Sequence, residues 1–404
     1  MHVLRCASCD LLLHKVPVAK GFSARCPDCG SRVVKNSTLS LSGELAIAIA
    51  AFILFFPAQL LPLVTIDLFG VPLSTSVTSG AVILLDSFPF VGALVIFSTA
   101  IAPFAYLLSI LLANLALHFH HARSLYYVTY AMKFLRHWVM IDVFLVSLAV
   151  AGFKVTEIAE LSVGSGLFSF VVLQVLIAVL LSRVSPKKYW DAFSDSSEDV
   201  KLSSGAAEVD DAVISCKHCG LTQNSENHHC HRCGAKLEKR IYQSIQKTWA
   251  SLIAATVFVF PANLYPISIL LSNGKRFEDT IFSGVASLIK QGMYGIAIII
   301  FTASIIVPVA KIVFLGYILI CIQFKVDSGR AQRMKIYRFV QWIGKWSMMD
   351  LCVIAIMVSL IDRGNLLDFT PGPGAIAFGL VVVLTMIAAE SLDSRLIWDK
   401  HEQR

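Results

Sequence analysis

Charge is scarce in this chain. Asp, Glu, Lys and Arg make up only 15% of its 404 residues, against about 25% in an ordinary soluble domain. That shortage, beside 56% hydrophobic residues, excludes a soluble globule of this size. A second absence concerns energy. No G-x-x-x-x-G-K-[ST] phosphate loop occurs, so a P-loop ATPase is excluded, and any work must draw on a gradient, a partner or mass action. No catalytic constellation stands out, and the chain reads as a non-enzyme. No cleavable signal precedes the apolar segments, because the N-terminus opens with "CASCD" and basic residues.

What is present is a series of long apolar runs. Eight of them, near 44–64, 91–117, 128–152, 163–182, 249–271, 294–323, 339–361 and 374–391, are long enough to cross a bilayer as helices. The basic residues set their direction. Of the 34 Lys and Arg, 26 fall in the N-terminal tail, loop 118–135, linker 183–247, loop 324–338 and the C-terminal tail. The positive-inside rule places those segments, with both termini, in the cytoplasm. The net charge of +7 is then a topology signal. It is split among short loops, which argues against nucleic-acid binding.

The chain is built twice. "FPAQLLP" (56–62) returns as "FPANLYP" (260–266), and "SG" at 79–80 returns at 283–284. "VGSGLFSF" (163–170) aligns with "PGPGAIAF" (371–378), and Trp138, Met140, Asp142, Trp190 and Asp191 align with Trp346, Met348, Asp350, Trp398 and Asp399. Each half holds four spans, an even number, so the halves are expected as parallel repeats about an axis along the membrane normal. The polar, Ser-rich and acidic stretch 194–212 reads as a flexible linker.

A cysteine cluster prefaces each half: Cys6-x2-Cys9 with Cys26-x2-Cys29, and Cys216-x2-Cys219 with Cys230-x2-Cys233. Two residues between thiolates let one turn offer both sulfurs, and two such turns complete a tetrahedron. The expected cytoplasmic side is reducing, which argues against disulfides. Two Zn2+ ions in closed, structural sites are the expected occupants, with rubredoxin-like iron as the competitor. His218, His228, His229 and His231 near the second cluster read as a solvated loop. Cys321 and Cys352 lie within spans and read as small packing residues.

These paired motifs, with the closing "ESLDSRLIWD" (390–399) and the eight cysteines, resemble the paraquat-inducible protein A (PqiA/LetA) family over essentially the whole chain. The resemblance implies an inner-membrane protein of Gram-negative bacteria. It implies an MCE-domain partner that spans the periplasm as a hydrophobic tunnel, and a role in moving membrane lipids between the two membranes. Each half is then a four-helix bundle with some extracytoplasmic structure. The first knuckle, "CASCD", departs from the pattern by lacking the glycine that follows the other three.

The expected architecture is therefore an all-α membrane protein of two tandem four-helix bundles, each preceded by a small zinc ribbon. Residues 1–38 form ribbon 1, 39–193 bundle 1, 194–212 the linker, 213–240 ribbon 2 and 241–404 bundle 2.

The candidate site comes from charge inside the membrane, which costs on the order of 2.5–3.5 kcal/mol per residue at a span's centre and is functional by default. Lys311 sits deep in its span, and Asp350 is its expected partner. Pro308 frees a carbonyl near Ser304, and Thr385 in the last span offers a hydroxyl; the competing reading for Ser304 and Thr385 is bonding to their own helices. The residue matching Lys311 in the first half is Tyr106, so Asp142 is left with Arg136 and His137. The second bundle is therefore expected to carry the working site. Pro57, Pro62, Pro261 and Pro266 either end or kink the first helix of each half, or help line a transport site. Gly164-x-Gly166 and Gly372-x-Gly374 are expected to allow close packing, and Trp190 and Trp398 to anchor at the interface. Three functions follow. The first is a lipid transporter with a polar site, proton-coupled if the Lys–Asp pair is broken by protonation. The second is a membrane redox or stress sensor using the cysteine sites. The third is a passive anchor for a periplasmic partner.

Overall fold

The computed structural model describes residues 3–399 except 15, 36–38, 69–70, 156–159, 195–212, 225–226, 273–274, 327 and 362–366. From residue 195 onward the expected linker lies outside the described residues.

Two hairpins open the chain, β1 (Val3–Arg5) with β2 (Leu12–His14) and β3 (Ser23–Arg25) with β4 (Arg32–Lys35). Helix α1 (Leu41–Leu60) starts where Ser40 Oγ accepts from Gly43 N–H at 3.1 Å. The hairpin of β5 (Val64–Leu68) and β6 (Val71–Thr75) leads to α2 (Val77–Ser87). Next come α3 (Pro89–Ile96), a π-helical turn at Phe97–Ile101, and α4 (Ala102–His118) in one continuous span. Then follow α5 (Ala122–Trp138), α6 (Ile141–Val155), β7 (Glu160–Val163), α7 (Ser165–Arg183) and α8 (Pro186–Phe193).

The second half repeats the plan. Strands β8 (Val213–Ser215) and β9 (Thr222–Asn224) precede α9 (Ser244–Leu264), β10 (Ser268–Ser272), β11 (Lys275–Asp279) and α10 (Ile281–Lys290). A second span with a π turn joins α11 (Tyr294–Phe301), Thr302–Ile306 and α12 (Val307–Gln323). The rest is α13 (Arg330–Ile343), a 3-10 turn at Gly344–Met348, α14 (Met349–Ile361), β12 (Leu367–Pro371) and α15 (Pro373–Ser391).

Eight helical spans are long and apolar enough to cross a membrane, and all eight fall on the expected runs. The chain is a mostly helical, multi-pass membrane protein. Two runs overshot. Residues after Leu60 and after Leu264 leave the helix, because Pro62 and Pro266 follow within two positions and disfavour helix in the residue before them. The apolar residues beyond, such as Ile269 to Leu271, form strands instead. Each half thereby gains a three-stranded antiparallel sheet, in the order β6-β5-β7 and β11-β10-β12. The all-α expectation did not include these sheets; one to three apolar residues at each strand are too few for a period-2 pattern to stand out from the adjoining helical run.

The duplicated motifs meet one another. Gly164 and Gly166 donate to the carbonyls of Leu63 and Pro62 at 2.9 and 3.0 Å, and Gly372 and Gly374 donate to Ile267 and Pro266 at the same distances. A Cβ on Gly372 would sit 2.1 Å from Pro266 O, and one on Gly164 would sit 2.2 Å from Pro62 O. The glycines thus let the first and fourth spans of each half close at one end, as their packing role requires. The "SG" pairs also have a shared task. Ser79 and Ser283 complete reciprocal capping boxes with Ser76 and Thr280 at the starts of α2 and α10.

The bundles are not independent. Helix α14 packs on α2, α3 and α6 of the first half, and its Met349, Leu351, Cys352 and Ala355 join Val143 and Phe144 in one buried core. Ser147 Oγ donates across this seam to Met349 O at 3.0 Å.

The ribbons dock crosswise. Ribbon 1 packs its cysteines with Leu252, Leu315, Tyr337 and Ile397 of the second bundle, and Arg338 donates to Cys29 O at 2.7 Å. Ribbon 2 packs with the first bundle. Its Arg232 reaches Asp191 Oδ1 at 3.0 Å and Ser194 O at 2.8 Å, and its His218 Nε2 lies 2.8 Å from Thr129 Oγ1. His218 is therefore not part of a solvated loop: its ring stacks among Tyr126, Tyr130 and Trp190. Trp190 corrects a second expectation. It is fully buried beneath ribbon 2 rather than anchored in an interface.

Candidate functional site

Each cysteine cluster is assembled by two identical turns. In all four, the N–H of the fourth residue past the first cysteine returns to that cysteine's carbonyl at 2.8–2.9 Å: Asp10 to Cys6, Gly30 to Cys26, Gly220 to Cys216, Gly234 to Cys230. That residue must take a left-handed φ, which runs from 64° to 77° and suits glycine. Asp10 adopts it as well, at 64°. Aspartate tolerates this region better than most side chains, and its carboxylate is used: Arg5 lies at 3.3 Å, Arg395 at 3.8 Å, and Arg240 also pairs with it. The missing glycine of "CASCD" thus leaves the turn intact and adds a tie to the second bundle.

Within each cluster all four sulfurs lie within 4.8 Å of one another. The closest pairs are 3.4–3.6 Å apart, Cys9 with Cys26, Cys6 with Cys29, Cys219 with Cys230 and Cys216 with Cys233. None is in a disulfide. A tetrahedral centre with metal–sulfur bonds of about 2.3 Å would space its sulfurs about 3.8 Å apart, so the donor set fits a metal ion. Left to themselves, the thiols share protons: hydrogen bonds hold Cys6 and Cys216 below the ordinary range and push their partners Cys9 and Cys219 above it.

The third span of each half is broken. Helix α5 ends at Trp138 and α6 restarts at Ile141; α13 ends at Ile343 and α14 restarts at Met349 after the 3-10 turn. Asp142 and Asp350 each lie in the first turn of the restarted helix, where unsatisfied N–H groups favour a carboxylate. That is the local reason for two aspartates at the heads of apolar runs.

A break also leaves carbonyls without intrahelical partners, and lysines take them. Lys311, only 1% exposed, donates to Gly344 O at 3.0 Å. Lys345 donates across the seam to Val139 O at 3.4 Å and feels the charge of Asp142. The expected Lys311–Asp350 pair does not form; no ion pair within 4.0 Å joins these two described residues, and they line different cavities. Lys311 borders one of about 110 Å3 with His137, Gln341, Lys345, Thr385 and Glu390. Asp350 borders another of about 80 Å3 with Ser268, Asp279, Thr280 and Met357. Nor are Arg136 and His137 the sole cations near Asp142, because Lys345 of the other half donates to Val139 O, three residues before it. His137 Nδ1 lies 3.8 Å from Glu390 Oε1, again across the halves.

The remaining candidates bond locally. Ser304 Oγ donates to Ile300 O at 2.7 Å and Thr385 Oγ1 to Val382 O at 3.0 Å. The proline argument is met by the π turns, whose wider pitch precedes Pro103 and Pro308. The halves differ in what fills the turn. In the first, Gln59 Nε2 donates to Thr99 O at 3.0 Å and Met140 N–H to Ser98 O at 3.4 Å. In the second, the shorter Asn263 bonds within its own helix, to Val259 O at 2.9 Å. Among the described residues, no donor outside the helix reaches Ala303 O or Ser304 O.

Comparison with known proteins gives this duplicated, broken-helix plan a family. The model for Paraquat-inducible protein A matches residues 41–194 and again 245–402. The chain belongs to the paraquat-inducible protein A family. The family's match falls once on each bundle and leaves both ribbons outside. The chain is 38% identical over 400 residues to lipophilic envelope-spanning tunnel protein A of Escherichia coli K12, covering 98% of this chain and 91% of that protein. It is 32% identical to a probable intermembrane transport protein of Haemophilus influenzae, covering 99% of this chain and 97% of the relative. Intermembrane transport protein PqiA of E. coli K12 is 29% identical, covering all of this chain and 96% of its own length. No solved structure matches it.

The sequence singles out Lys311, Asp142 and Asp350 but not Lys345, Glu390 or Gln59 as participants. Glu390 sits at the end of its span, where a charge raises no alarm; Lys345 lies in the break of the third span, and its acceptor, Val139 O, is set by packing between halves.

Proposed function

We propose that the protein is an inner-membrane transporter that passes lipids to or from a periplasm-spanning MCE-domain partner. The observation that carries this reading is Lys311: a fully buried lysine that meets the opened carbonyl of a broken helix, beside a cavity bearing His137, Thr385 and Glu390. Broken helices with charges at their ends are how transporters build binding sites within apolar surroundings. The relatives' names, intermembrane transport and envelope-spanning tunnel proteins, agree with this activity.

In this reading both termini and both ribbons are cytoplasmic, as the distribution of Lys and Arg requires. The two small sheets then face the periplasm, where a tunnel partner would meet them. Each ribbon holds one zinc ion through its four cysteines, a closed site that supplies a structural cross-link and no chemistry. The domain limits follow the elements: ribbons at 1–38 and 213–240, bundles at 39–193 and 241–404. The working site comprises Lys311 and Asp350 with Ser304 and Thr385, and Asp142 forms its diverged counterpart. Lys311 and Glu390 on one cavity, and Asp350 and Asp279 on the other, are groups that a proton gradient could address in turn.

A structure of the protein in a lipid nanodisc tests the proposal. Acyl-chain or headgroup density in the Lys311 or Asp350 cavity is expected. Dry, fully packed cavities in lipid-saturated protein would contradict the transport reading and leave the passive-anchor and sensor readings.

A further inference from the structure

A second kind of cavity lies beside the ribbons. It is a cleft of about 640 Å3 on the ribbon side, bounded by both ribbons, the ends of α5 and α15, and the turn before α8. That volume is in the range of small-molecule sites. Its charge is one-sided. Arg5, Arg32, Lys133, Arg136, Lys187, Lys217 and Arg395 line it, against two carboxylates, Asp10 and Asp393, and two cluster thiols, Cys6 and Cys216.

Both carboxylates are already committed. Asp10 pairs with Arg5, Arg240 and Arg395. Asp393 takes two hydrogen bonds from Arg395, at 3.0 and 2.8 Å, a contact from Lys217 at 3.4 Å and the N–H of Ile241 at 3.1 Å. Lys133 donates only to a carbonyl, that of Lys217, at 3.3 Å. Arg32, Arg136 and Lys187 have no carboxylate within 4.0 Å among the described residues. Three cations are brought into one cleft by ribbon 1, α5 and the first turn of α8, and a bound anion would relieve their mutual repulsion. Local helix-end effects explain at most Arg136, which lies in the last turn of α5. The arrangement of guanidinium and ammonium groups suits the tetrahedral oxygens of phosphate.

We propose that this cleft is a phosphate-binding site, for either a phospholipid headgroup or a soluble phosphate ester. Its position favours a headgroup, because α5 and α15 are spanning helices that end at the cleft. His137 lines both this cleft and the Lys311 cavity, so a headgroup held here lies next to the intramembrane site. The proposal stands apart from the transport reading, since binding requires no transport.

The test is binding by the full-length protein in neutral detergent, read by native mass spectrometry. Dioleoyl phosphatidylglycerol is compared with dioleoylglycerol, which lacks the phosphate, and pyrophosphate is the soluble probe. The variant is Arg136→Gln with Lys187→Gln, checked for unchanged melting temperature and metal content, with Lys187→Arg as the conservative control. Retention of phosphatidylglycerol over dioleoylglycerol, falling at least tenfold in the double variant and kept in Lys187→Arg, supports a headgroup site. Pyrophosphate binding with the same dependence, and no preference between the lipids, supports a soluble phosphate. Equal binding of all probes by wild type and double variant overturns the proposal. Lys311→Met should leave this binding intact, which separates its outcome from that of the transport reading.

Discussion

Asp393 ties ribbon 2, the head of α9 and the C-terminal turn together. It accepts from Arg395 and Ile241, contacts Lys217 of ribbon 2, and its own N–H donates to Ser244 at the head of α9. Burial by itself would raise its carboxyl; the Arg395 hydrogen bonds and charge, with Lys217, hold it well below the usual carboxylate range. A carboxylate with a lowered folded pKa contributes stability above its unfolded value, 3.8 here, and loses it as pH falls through that value toward the folded one. Asp393→Ala is therefore expected to cost on the order of 3 kcal/mol at pH 7. That penalty should shrink as pH is lowered below about 4, which melting curves between pH 3 and 7 would read. A pH-independent penalty would contradict the linkage. At this scale the sequence was informative where chemistry is local. Eight cysteines at fixed spacing identified their clusters, and one lysine in an apolar run identified its own depth. It was silent on partners: Lys311 takes Gly344 O because α13 breaks there, and no residue near 344 announces that break as a proline would.

Among the elements, the broken helices and the glycine closures carry the architecture. The "FPAQLLP" and "VGSGL" motifs lie about a hundred residues apart in sequence, yet the second exists to approach the first. Gly372→Ala would place its Cβ 2.1 Å from Pro266 O, a clash with backbone that a rotamer change cannot relieve. The expected cost is about 3 kcal/mol, seen as a lower melting temperature and greater hydrogen exchange at α9 and α15. Gly284→Ala, where an added Cβ meets nothing within 4 Å, should leave both unchanged. Spans were legible because twenty apolar residues leave little choice of structure. The sheets were not, since their strands are short continuations of the same apolar runs. The break in each third span was visible only as its consequence, an aspartate at the start of a helix.

For the whole molecule, repetition in sequence does not mean separateness in space. Each ribbon is encoded before one bundle and packs with the other, so a metal site in ribbon 1 should support bundle 2. Cys26→Ser is expected to lower bound metal from two ions per chain to one. It should raise hydrogen exchange around Tyr337, Arg338 and the 394–397 turn, leaving α5 and α8 near wild type. The reverse pattern would contradict the crosswise docking. Helix α14 likewise lends its apolar face to the first bundle's core, which brings Asp142, Lys345, Lys311 and Glu390 toward one seam between halves. We propose that this seam moves lipid and that Lys311 is required for it. Movement of a fluorescent phospholipid in sealed proteoliposomes tests that most directly, with wild type compared against Lys311→Met carrying two metal ions and an unchanged melting temperature. The account predicts a drop in rate of at least about tenfold, the loss expected when about 1.4 kcal/mol or more of a required interaction is removed. Equal rates for the two proteins would contradict it.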